Sequence, residues 1–389
     1  MFLYVFIYVL LTVLYFRTEH DNKGITVGQF GMILFLLATF VGISDMLGGY
    51  DRYIYCELFD RNADIVRSGG DFRASHNPLM GYSNEMAYVI WNVIVSHFTA
   101  NRYIFVLITT YFVYLLFFIS IKKYVSNYPF LLLVFMSIWF FFTFTYLRQV
   151  LATSFAWFGY KYVIERKFWK FAIIAYIVYK FHNSGIIYSV LYFVPLKKYS
   201  PKIVISLMAL LLLVGLTGIS TSLYAIYGDL SDTESRTEQY LRYGTTTRIA
   251  YMIEAVVFLF FILNRYKDIP EDRTSMVMLN ASFLFCGFLL FFIQSSSAGR
   301  QCWYFMLGIL CTLTNLATKK KGKSDFKFSL LLILTLLYLR VVVSWADLIS
   351  PYYTFVVNNQ YSYSWQRNYE YDDTYAKDKF YREPFRIVW

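Results

Sequence analysis

Charged residues are scarce in this chain. Only 16% of its 389 residues are charged, against about 25% in an ordinary soluble domain. Hydrophobic residues make up 58% of the sequence, and they come in blocks of about 15–22 residues, the length that crosses a hydrocarbon core of about 30 Å. These blocks recur from Met1 to Ser350, which leaves no stretch for a soluble domain of useful size. The sequence therefore predicts one integral membrane domain.

Cysteine and histidine are few as well, with four residues of each type. The cysteines show no CxxC spacing, so they indicate neither a metal site nor a redox site. The histidines show no ligand spacing such as HExxH. We therefore expect neither a metal nor a cofactor. The residues concerned are Cys56, Cys286, Cys302, Cys311, His20, His76, His97 and His182.

The net charge of +11 would suggest a nucleic-acid partner in a soluble protein. Here, Lys and Arg fall in short clusters between the apolar blocks, with no basic repeat and no basic tail. Positive clusters resist translocation and mark the loops that stay on the cytoplasmic side of a membrane. The charge therefore predicts the orientation of the chain, and we expect no nucleic acid as a partner.

We predict an all-α polytopic fold with about ten full transmembrane helices over 1–349, followed by a Tyr-rich tail over 350–389. The positive-inside rule places the loops 48–83 and 222–247, the tail and both termini outside. The first apolar segment lacks a preceding positive region and a small-residue cleavage site, so we interpret it as a retained helix and not as a signal peptide. The predicted spans are about 1–16, 29–47, 102–121, 130–146, 148–164, 203–221, 248–264, 276–294, 300–316 and 328–347.

Two segments depart from this pattern of single crossings. Segment 169–196 has positive clusters at both ends, so a single crossing would violate the positive-inside rule. The residues FHNSG interrupt its centre, and we predict two half-helices, about 169–181 and 184–196, joined by a polar turn near the outer side. Such irregular backbone is tolerated at membrane depth where it lines a cavity or is buried in protein; a straight helix is the alternative. Segment 84–98 is predicted as an amphipathic helix in the interface.

An ionisable side chain in or beside a spanning helix is a functional candidate, because its burial in lipid is costly. Arg148, Arg248 and Arg300 lie between or at the starts of predicted spans, and His182 lies in the polar turn. The topology is drawn from other Lys and Arg clusters, yet it places all four residues on the outward side. We therefore predict one polar site near the outer leaflet, approached by the outward loop 48–85 with Asp51, Asp60 and Glu85. Further ionisable residues within or at the ends of spans are Glu254, Arg340 and Asp347.

The residue types in this site suit a reaction at a diphosphate. Arginine stays charged, and its planar guanidinium matches phosphate oxygens, so Arg148 and Arg300 could neutralise a diphosphate leaving group. His182, Asp51 or Glu85 could take a proton from an acceptor hydroxyl. Each residue also has a simpler explanation: an arginine anchored at the headgroups, a histidine that only packs in the protein, or an acid that is merely solvated.

The candidate residues fall in five local patterns. These are GGYDRYIYCELFD (48–60) with Asp51, GYSNEMAYVIWNVIV (81–95) with Glu85, TYLRQVLATSF (145–155) with Arg148 and Gln149, KFHNSGIIYSVLYFVP (180–195) with His182, and AGRQCWYF (298–305) with Arg300. In this order they resemble the EpsG family of Wzy-like bacterial polysaccharide polymerases. The resemblance covers about residues 40–305, and the Arg-Gln and FHNS patterns are its most specific part.

The resemblance implies a glycosyltransferase that joins oligosaccharide repeat units carried on undecaprenyl diphosphate. It implies a multi-pass protein of the bacterial inner membrane that works at the periplasmic face. Its implied partners are the lipid-linked oligosaccharide and membrane lipids, with a chain-length regulator as a further candidate and no cofactor.

Roles for single residues follow from their chemistry together with this resemblance, except that Arg248 lies outside the five patterns and is a candidate from its position alone. Arg148 and Arg300 would bind the donor diphosphate, with Arg248 as a further candidate. Gln149 would orient Arg148 or contact a phosphate oxygen. His182 would be a general base or a hydrogen-bond partner of the donor. The residues expected to hold the acceptor sugar, one of them as an alternative base, are Asp51 and Glu85.

Three other functions remain open. A flippase or exporter of lipid-linked glycans would need alternating access and usually an internal repeat, and we find no repeat. A membrane O-acyltransferase would also use a histidine near the membrane, but it would not need two arginines at a diphosphate. An O-antigen ligase shares the donor and differs in its acceptor, so the sequence separates it poorly from a polymerase.

Overall fold

The structure is a computed structural model, and it describes residues 1–145, 147–220, 223, 247–295, 298–318, 324–356 and 382–387. Within these ranges the fold is all-α, as predicted, and the only β-pairing is an isolated bridge between Ser44 and Thr354. The α-helices are α1 (Phe2–His20), α2 (Val27–Gly42), α3 (Tyr50–Arg67), α4 (Met86–Phe98), α5 (Arg102–Ile121), α6 (Tyr128–Ile138), α7 (Leu147–Ile164), α8 (Phe168–Phe181), α9 (Val190–Phe193), α10 (Pro201–Leu216), α11 (Ile249–Asn264), α12 (Arg273–Phe291), α13 (Ala298–Gln301), α14 (Met306–Thr318), α15 (Ser324–Ser344) and α16 (Ala346–Ile349). The 3₁₀ segments are Pro78–Glu85, Phe140–Phe144, Asn183–Ser189, Tyr266–Asp268 and Cys302–Phe305.

Helices lie at each of the ten predicted spans. Within the residues that the structure describes, four helices are long and apolar enough to cross a membrane, namely α1, α5, α12 and the part Asp325–Ser344 of α15. Four more, α2, α6, α10 and α11, are apolar but shorter. A membrane protein built of helices is therefore supported, while the number of ten crossings stays a prediction.

The centre of the bundle is formed by α6 and α14. All 11 residues of α6 are buried, and most of α14 is buried as well. A helix that is apolar on every side is stable only where other helices surround it. Helices α1 and α15 pack against α6, and α12 packs against α14.

The outer helices are buried on one face only. In α1 the buried side chains recur every three or four residues, so they share one face of the helix. The opposite face exposes large apolar side chains along its length, an arrangement that is stable against lipid rather than water. Tyr338 of α15 donates a hydrogen bond to the carbonyl oxygen of Tyr4 at 2.8 Å. The buried residues of α1 are Tyr4, Tyr8, Leu11 and Tyr15.

The segment 48–83, predicted as an outward loop, is largely helical, because α3 occupies Tyr50–Arg67; its side of the membrane stays a prediction. Arg52 on this helix is fully buried and donates hydrogen bonds to the carbonyl oxygens of Leu47 (3.0 Å) and Phe144 (2.9 Å). On the same helix Asp60 forms a fully buried ion pair with Arg102 of α5. A buried arginine or carboxylate is tolerated only when its charge is matched or hydrogen-bonded. These contacts therefore fix α3 against the bundle.

The predicted break in segment 169–196 is present. Helix α8 ends at Phe181, and His182 adopts an extended backbone conformation before the 3₁₀ segment Asn183–Ser189. The chain then runs back along α8, since the ring of Tyr192 stacks on Phe171 with centroids 4.9 Å apart. The return half is shorter than predicted, because it consists of a 3₁₀ segment and one α-helical turn. The position of the turn relative to a membrane stays a prediction.

Segment 84–98 is helical as predicted, with α4 following the 3₁₀ segment Pro78–Glu85. Its place in the membrane interface stays a prediction. The predicted loop 222–247 lies almost entirely outside the described residues, as does most of the tail. Of the tail, residues 382–387 lie against α3 and α4: Arg382 pairs with Asp64 at 3.1 Å, and the amide of Arg386 donates to the carbonyl of Phe98 at 2.9 Å.

Candidate active site

A buried ion pair joins Arg148 to Glu85. Arg148 lies in the first turn of α7, and Glu85 ends the 3₁₀ segment before α4. The guanidinium carbon of Arg148 also lies 4.2 Å from the ring centroid of Tyr82 and 5.1 Å from that of Tyr55. Aromatic faces attract a cation, more strongly where water is excluded. Arg148 is therefore held by a carboxylate on one side and tyrosine rings on others.

Glu85 also reaches the polar turn of the hairpin. Its second carboxylate oxygen, Oε1, accepts a hydrogen bond from the backbone amide of Asn183 at 3.0 Å. Lys180 in the last turn of α8 donates to the carbonyl oxygen of Asn84 at 3.3 Å. Both contacts connect the hairpin to the segment before α4, so Glu85 links the Arg-Gln motif to the FHNS motif.

His182 is oriented by Ser184 through a short local loop. The Nδ1 atom of His182 lies 2.7 Å from the Ser184 hydroxyl and accepts the Ser184 backbone amide at 3.3 Å. Because an amide N–H can only donate, Nδ1 is the acceptor, and the neutral ring carries its proton on Nε2. The Ser184 hydroxyl lies 2.8 Å from the hydroxyl of Tyr304, which ties the histidine to the late Arg motif.

A contact between Gln149 and Arg300 joins the Arg-Gln motif to the late Arg motif. The Gln149 side-chain amide donates to the carbonyl oxygen of Arg300 at 2.9 Å. The guanidinium of Arg300 lies 3.8 Å from the carboxylate of Asp51. Asp51 and Arg300 remain about one third exposed, with 28% and 33% of their side chains accessible. They are therefore the accessible pair of the site, whereas Arg148 and Glu85 are accessible only to 11% and 3%.

Two glycines set the position of Asp51. Gly48 and Gly49 have φ angles of 113° and 87°, which L-residues with a side chain rarely adopt. A Cβ atom at Gly48 would lie 2.7 Å from the carbonyl oxygen of Phe144. The chain therefore turns tightly beside the segment that precedes α7, and Asp51 enters the first turn of α3 facing Arg300.

The structure brings six of the seven predicted site residues into one connected cluster. Through direct contacts or the FHNS turn, the cluster joins Asp51, Glu85, Arg148, Gln149, His182 and Arg300. Arg248 is separate from it: this residue is exposed and precedes α11, where its backbone amide donates to Ile293. Among the described residues, no hydrogen bond or salt bridge joins the Arg248 side chain to the other six. A role at the diphosphate stays a prediction for Arg248.

Sequence reasoning did not assign the polar and aromatic neighbours that hold the cluster. Tyr55 and Tyr82 surround Arg148, and Ser184 and Tyr304 orient His182. Each of these four residues lies inside one of the five sequence patterns. Its position in the pattern is the signal that could have marked it as part of the site. Which charged group each would contact depends on the packing of α3, α7 and the hairpin. In the part of the chain that the structure describes, no three His, Cys, Asp or Glu side chains are grouped as a metal site would require.

Comparison with known families agrees with the motifs. The model of the EpsG family matches residues 30–354, which is most of the chain and includes the whole cluster. The chain belongs to the EpsG family. No curated protein and no solved structure matches it. Membership of the EpsG family supports a role in making polysaccharide, since the family is associated with glycosyltransferase-like polymerases.

Proposed function

We propose that this EpsG-family chain joins oligosaccharide repeat units carried on undecaprenyl diphosphate, at the periplasmic face of the bacterial inner membrane. The observation that carries the proposal is the placement of Arg300. Its side chain is one third exposed and lies beside Asp51, and its backbone carbonyl is held by Gln149. In glycosyl transfer from a diphosphate, such a cation would neutralise the leaving group, and such a carboxylate would take the proton of the acceptor hydroxyl.

Arg300 would bind the donor diphosphate directly. Its fork of N–H groups matches two phosphate oxygens, and its contact with Asp51 at 3.8 Å is long enough to be exchanged for a phosphate. Arg148 is more deeply buried and already paired with Glu85. From this buried position Arg148 would add positive charge near the diphosphate. Gln149 would keep Arg300 in place. Neutralising the charge that develops on a leaving group is the main catalytic contribution expected of such a site.

The transfer step needs one base and one leaving group. The acceptor hydroxyl oxygen would attack the anomeric carbon of the donor sugar, and the bond from that carbon to the diphosphate oxygen would break. The bonding electron pair would leave with the diphosphate, and the proton of the hydroxyl would pass to a carboxylate. Asp51 is the better candidate for this base, because both oxygens of Glu85 already accept hydrogen bonds.

His182 would act as a hydrogen-bond donor. Its Nδ1 atom is engaged by Ser184, so the neutral ring would offer the Nε2 proton to a phosphate oxygen of the donor. The role of general base, the other one predicted for His182, stays a prediction. Glu85 would hold the turn that carries His182 and would complete the acceptor side of the site.

The test is glycan chain length in a strain that lacks the gene and is complemented with wild type, Arg148→Ala, Arg300→Ala or His182→Ala. Membrane levels of each variant are measured in parallel. We expect Arg300→Ala to reduce polymer by about 10²-fold or more, as for loss of a group that stabilises transition-state charge, while single repeat units accumulate on the lipid. Normal polymer with all three variants would contradict the proposal and favour an acyltransferase or exporter. Loss of attachment to a final acceptor, with polymer intact on the lipid, would indicate a ligase.

A further inference from the structure

A polar cavity lined by Arg300 but not by Asp51 lies next to the cluster. It has a volume of about 290 Å³ and is bounded by α11, α12, α15 and the 3₁₀ segment Cys302–Phe305. Arg300 lines this cavity and also contacts Asp51. The cavity therefore adjoins the proposed diphosphate position without containing the other residues of the cluster.

Two charged side chains line the cavity besides Arg300. Glu254 is in the second turn of α11, and Arg340 is near the end of α15. Both helices coincide with predicted spans, where an ionisable residue is expensive unless it faces water, a partner or a ligand. Neither residue belongs to the cluster that the family motifs mark, so a polar ligand in this cavity would explain their presence.

Aromatic rings form one wall of the same cavity. Phe142 lies between Trp303 and Trp345, with ring centroids at 4.4 Å and 5.6 Å. Trp345 is only partly buried, so part of its surface is open. A wall of aromatic rings beside a carboxylate and two guanidinium groups presents both apolar and hydrogen-bonding surface in a small space. Ligand sites are commonly built in this way, with mainly apolar walls and a few placed polar groups.

A sugar ring matches this lining better than a phosphate or an acyl chain. Its hydroxyl groups can donate to Glu254 and accept from Arg340, while its C–H face can lie on Trp345. An ionised phosphate has no hydrogen to donate to the Glu254 carboxylate, and an acyl chain offers no hydrogen bond to either Glu254 or Arg340. The volume is near the lower end of the range of about 300–1,000 Å³ for ligand pockets, which suits one ring and not a whole repeat unit.

We propose that this cavity binds the sugar that is attached directly to the donor diphosphate. This inference rests on the proposed function and adds to it the place of the donor sugar. The first sugar is joined to phosphorus through one oxygen, so it must lie next to the arginine that binds the diphosphate, and this cavity shares Arg300. The acceptor sugar would then lie outside this cavity, next to Asp51 and Glu85, which do not line it.

The test measures occupancy of the cavity without using activity. Ser344 lines the cavity and is exposed, so Ser344→Cys introduces a reactive thiol, whereas the four native cysteines are buried and react slowly. The full-length variant is reconstituted in lipid nanodiscs and treated with a maleimide. The probes are farnesyl diphosphate, which carries no sugar, and lipid-linked repeat units extracted from a strain that lacks the gene.

We expect the lipid-linked repeat units to slow labelling of Ser344→Cys about fivefold at four times their Kd, since only about one fifth of the sites are then free. Farnesyl diphosphate should protect little. Adding Glu254→Gln or Trp345→Ala should remove the protection while the protein keeps its melting temperature. Leu336→Ala, also on α15 but exposed on the outer surface, is the matched control and should leave the protection intact.

Two outcomes would overturn the inference. Equal protection by farnesyl diphosphate would identify a phosphate site, and no protection by repeat units would mean that the cavity is not used by the donor. The proposed function is judged separately by the glycan ladder. If Arg300→Ala abolishes polymer while the Ser344→Cys thiol stays unprotected, the polymerase proposal stands and the sugar site is wrong.

Discussion

The side-chain amide of Gln149 donates a hydrogen bond of 2.9 Å to the backbone carbonyl oxygen of Arg300, although the two residues are 151 positions apart in the sequence. This contact fixes the backbone of Arg300 against the first turn of α7. The guanidinium of Arg300 lies 3.8 Å from Asp51, and Arg300 also lines the cavity that contains Glu254. Gln149 is thus a positioning residue for Arg300, and its role differs from a direct contact with phosphate.

The first prediction concerns this hydrogen bond. Gln149→Leu would remove the side-chain donor to a partly buried carbonyl oxygen, at a cost of about 1–3 kcal/mol, and would release Arg300. We expect polymer formation to fall by about tenfold or more, measured as the glycan ladder in the complemented strain. Gln149→Glu should be at least as harmful, because a carboxylate faces the carbonyl oxygen. Equal polymer from Gln149→Leu and wild type would show that Arg300 needs no such support.

The second prediction concerns the buried pair of Arg148 and Glu85. Glu85→Gln or Arg148→Met alone leaves one buried charge without its partner, which typically destabilises by about 3–5 kcal/mol. We expect each single variant to lower the melting temperature of the purified protein. The double variant should be less destabilised than the sum of the two, because residues in contact are coupled.

Polymer formation separates structural from functional roles of this pair. If Arg148 only balances Glu85, the double variant should regain polymer along with stability. We expect it to regain stability and remain inactive, because the site would lose a cation needed at the diphosphate. Full recovery of the glycan ladder by the double variant would count against any catalytic part for Arg148.

The third prediction concerns Asp51 as the base. Asp51→Asn keeps the shape of the side chain but cannot accept a proton, so polymer should fall by about 10²-fold or more. Stability should change little, because a partly exposed pair contributes only about 0–1 kcal/mol. The matched control is Asp64→Asn on the same helix, where Asp64 pairs with Arg382 at 3.1 Å and is 44% exposed. Similar polymer levels from the two asparagine variants would assign the base to another residue.

The fourth prediction concerns the hairpin that carries His182. A Cβ atom at Gly185 would lie 2.8 Å from backbone atoms of Val178, and the backbone of α8 cannot easily yield. Gly185→Ala should therefore separate the return segment from α8, lower the melting temperature and reduce polymer. Gly28→Ala is the control, since a Cβ atom there would meet nothing closer than 3.9 Å. A stable and active Gly185→Ala protein would show that the close approach is not needed.

The sequence by itself determined where most helices lie and where one of them breaks. Long apolar blocks predict helices because the backbone in lipid must satisfy its own hydrogen bonds, and α5 has the predicted limits Arg102–Ile121. The positive clusters around 169–196, together with FHNSG, predicted the reversal at His182. The motifs also marked the six residues that form the cluster. They could be recognised because each motif places a polar or charged residue, rare in this chain, among apolar ones.

Tertiary structure decided which of these groups meet and what each can do. No local pattern states that Arg148 pairs with Glu85 while Arg300 faces Asp51, because these contacts depend on how α3, α7 and the hairpin pack. Packing also made the segment 48–83 largely helical, since the charged residues of α3 gain buried partners only in the folded bundle. For the same reason Arg248 stayed outside the cluster, and Glu254 came to share a cavity with Arg300. Charge type is a local property of the sequence, whereas burial and pairing are properties of the folded chain.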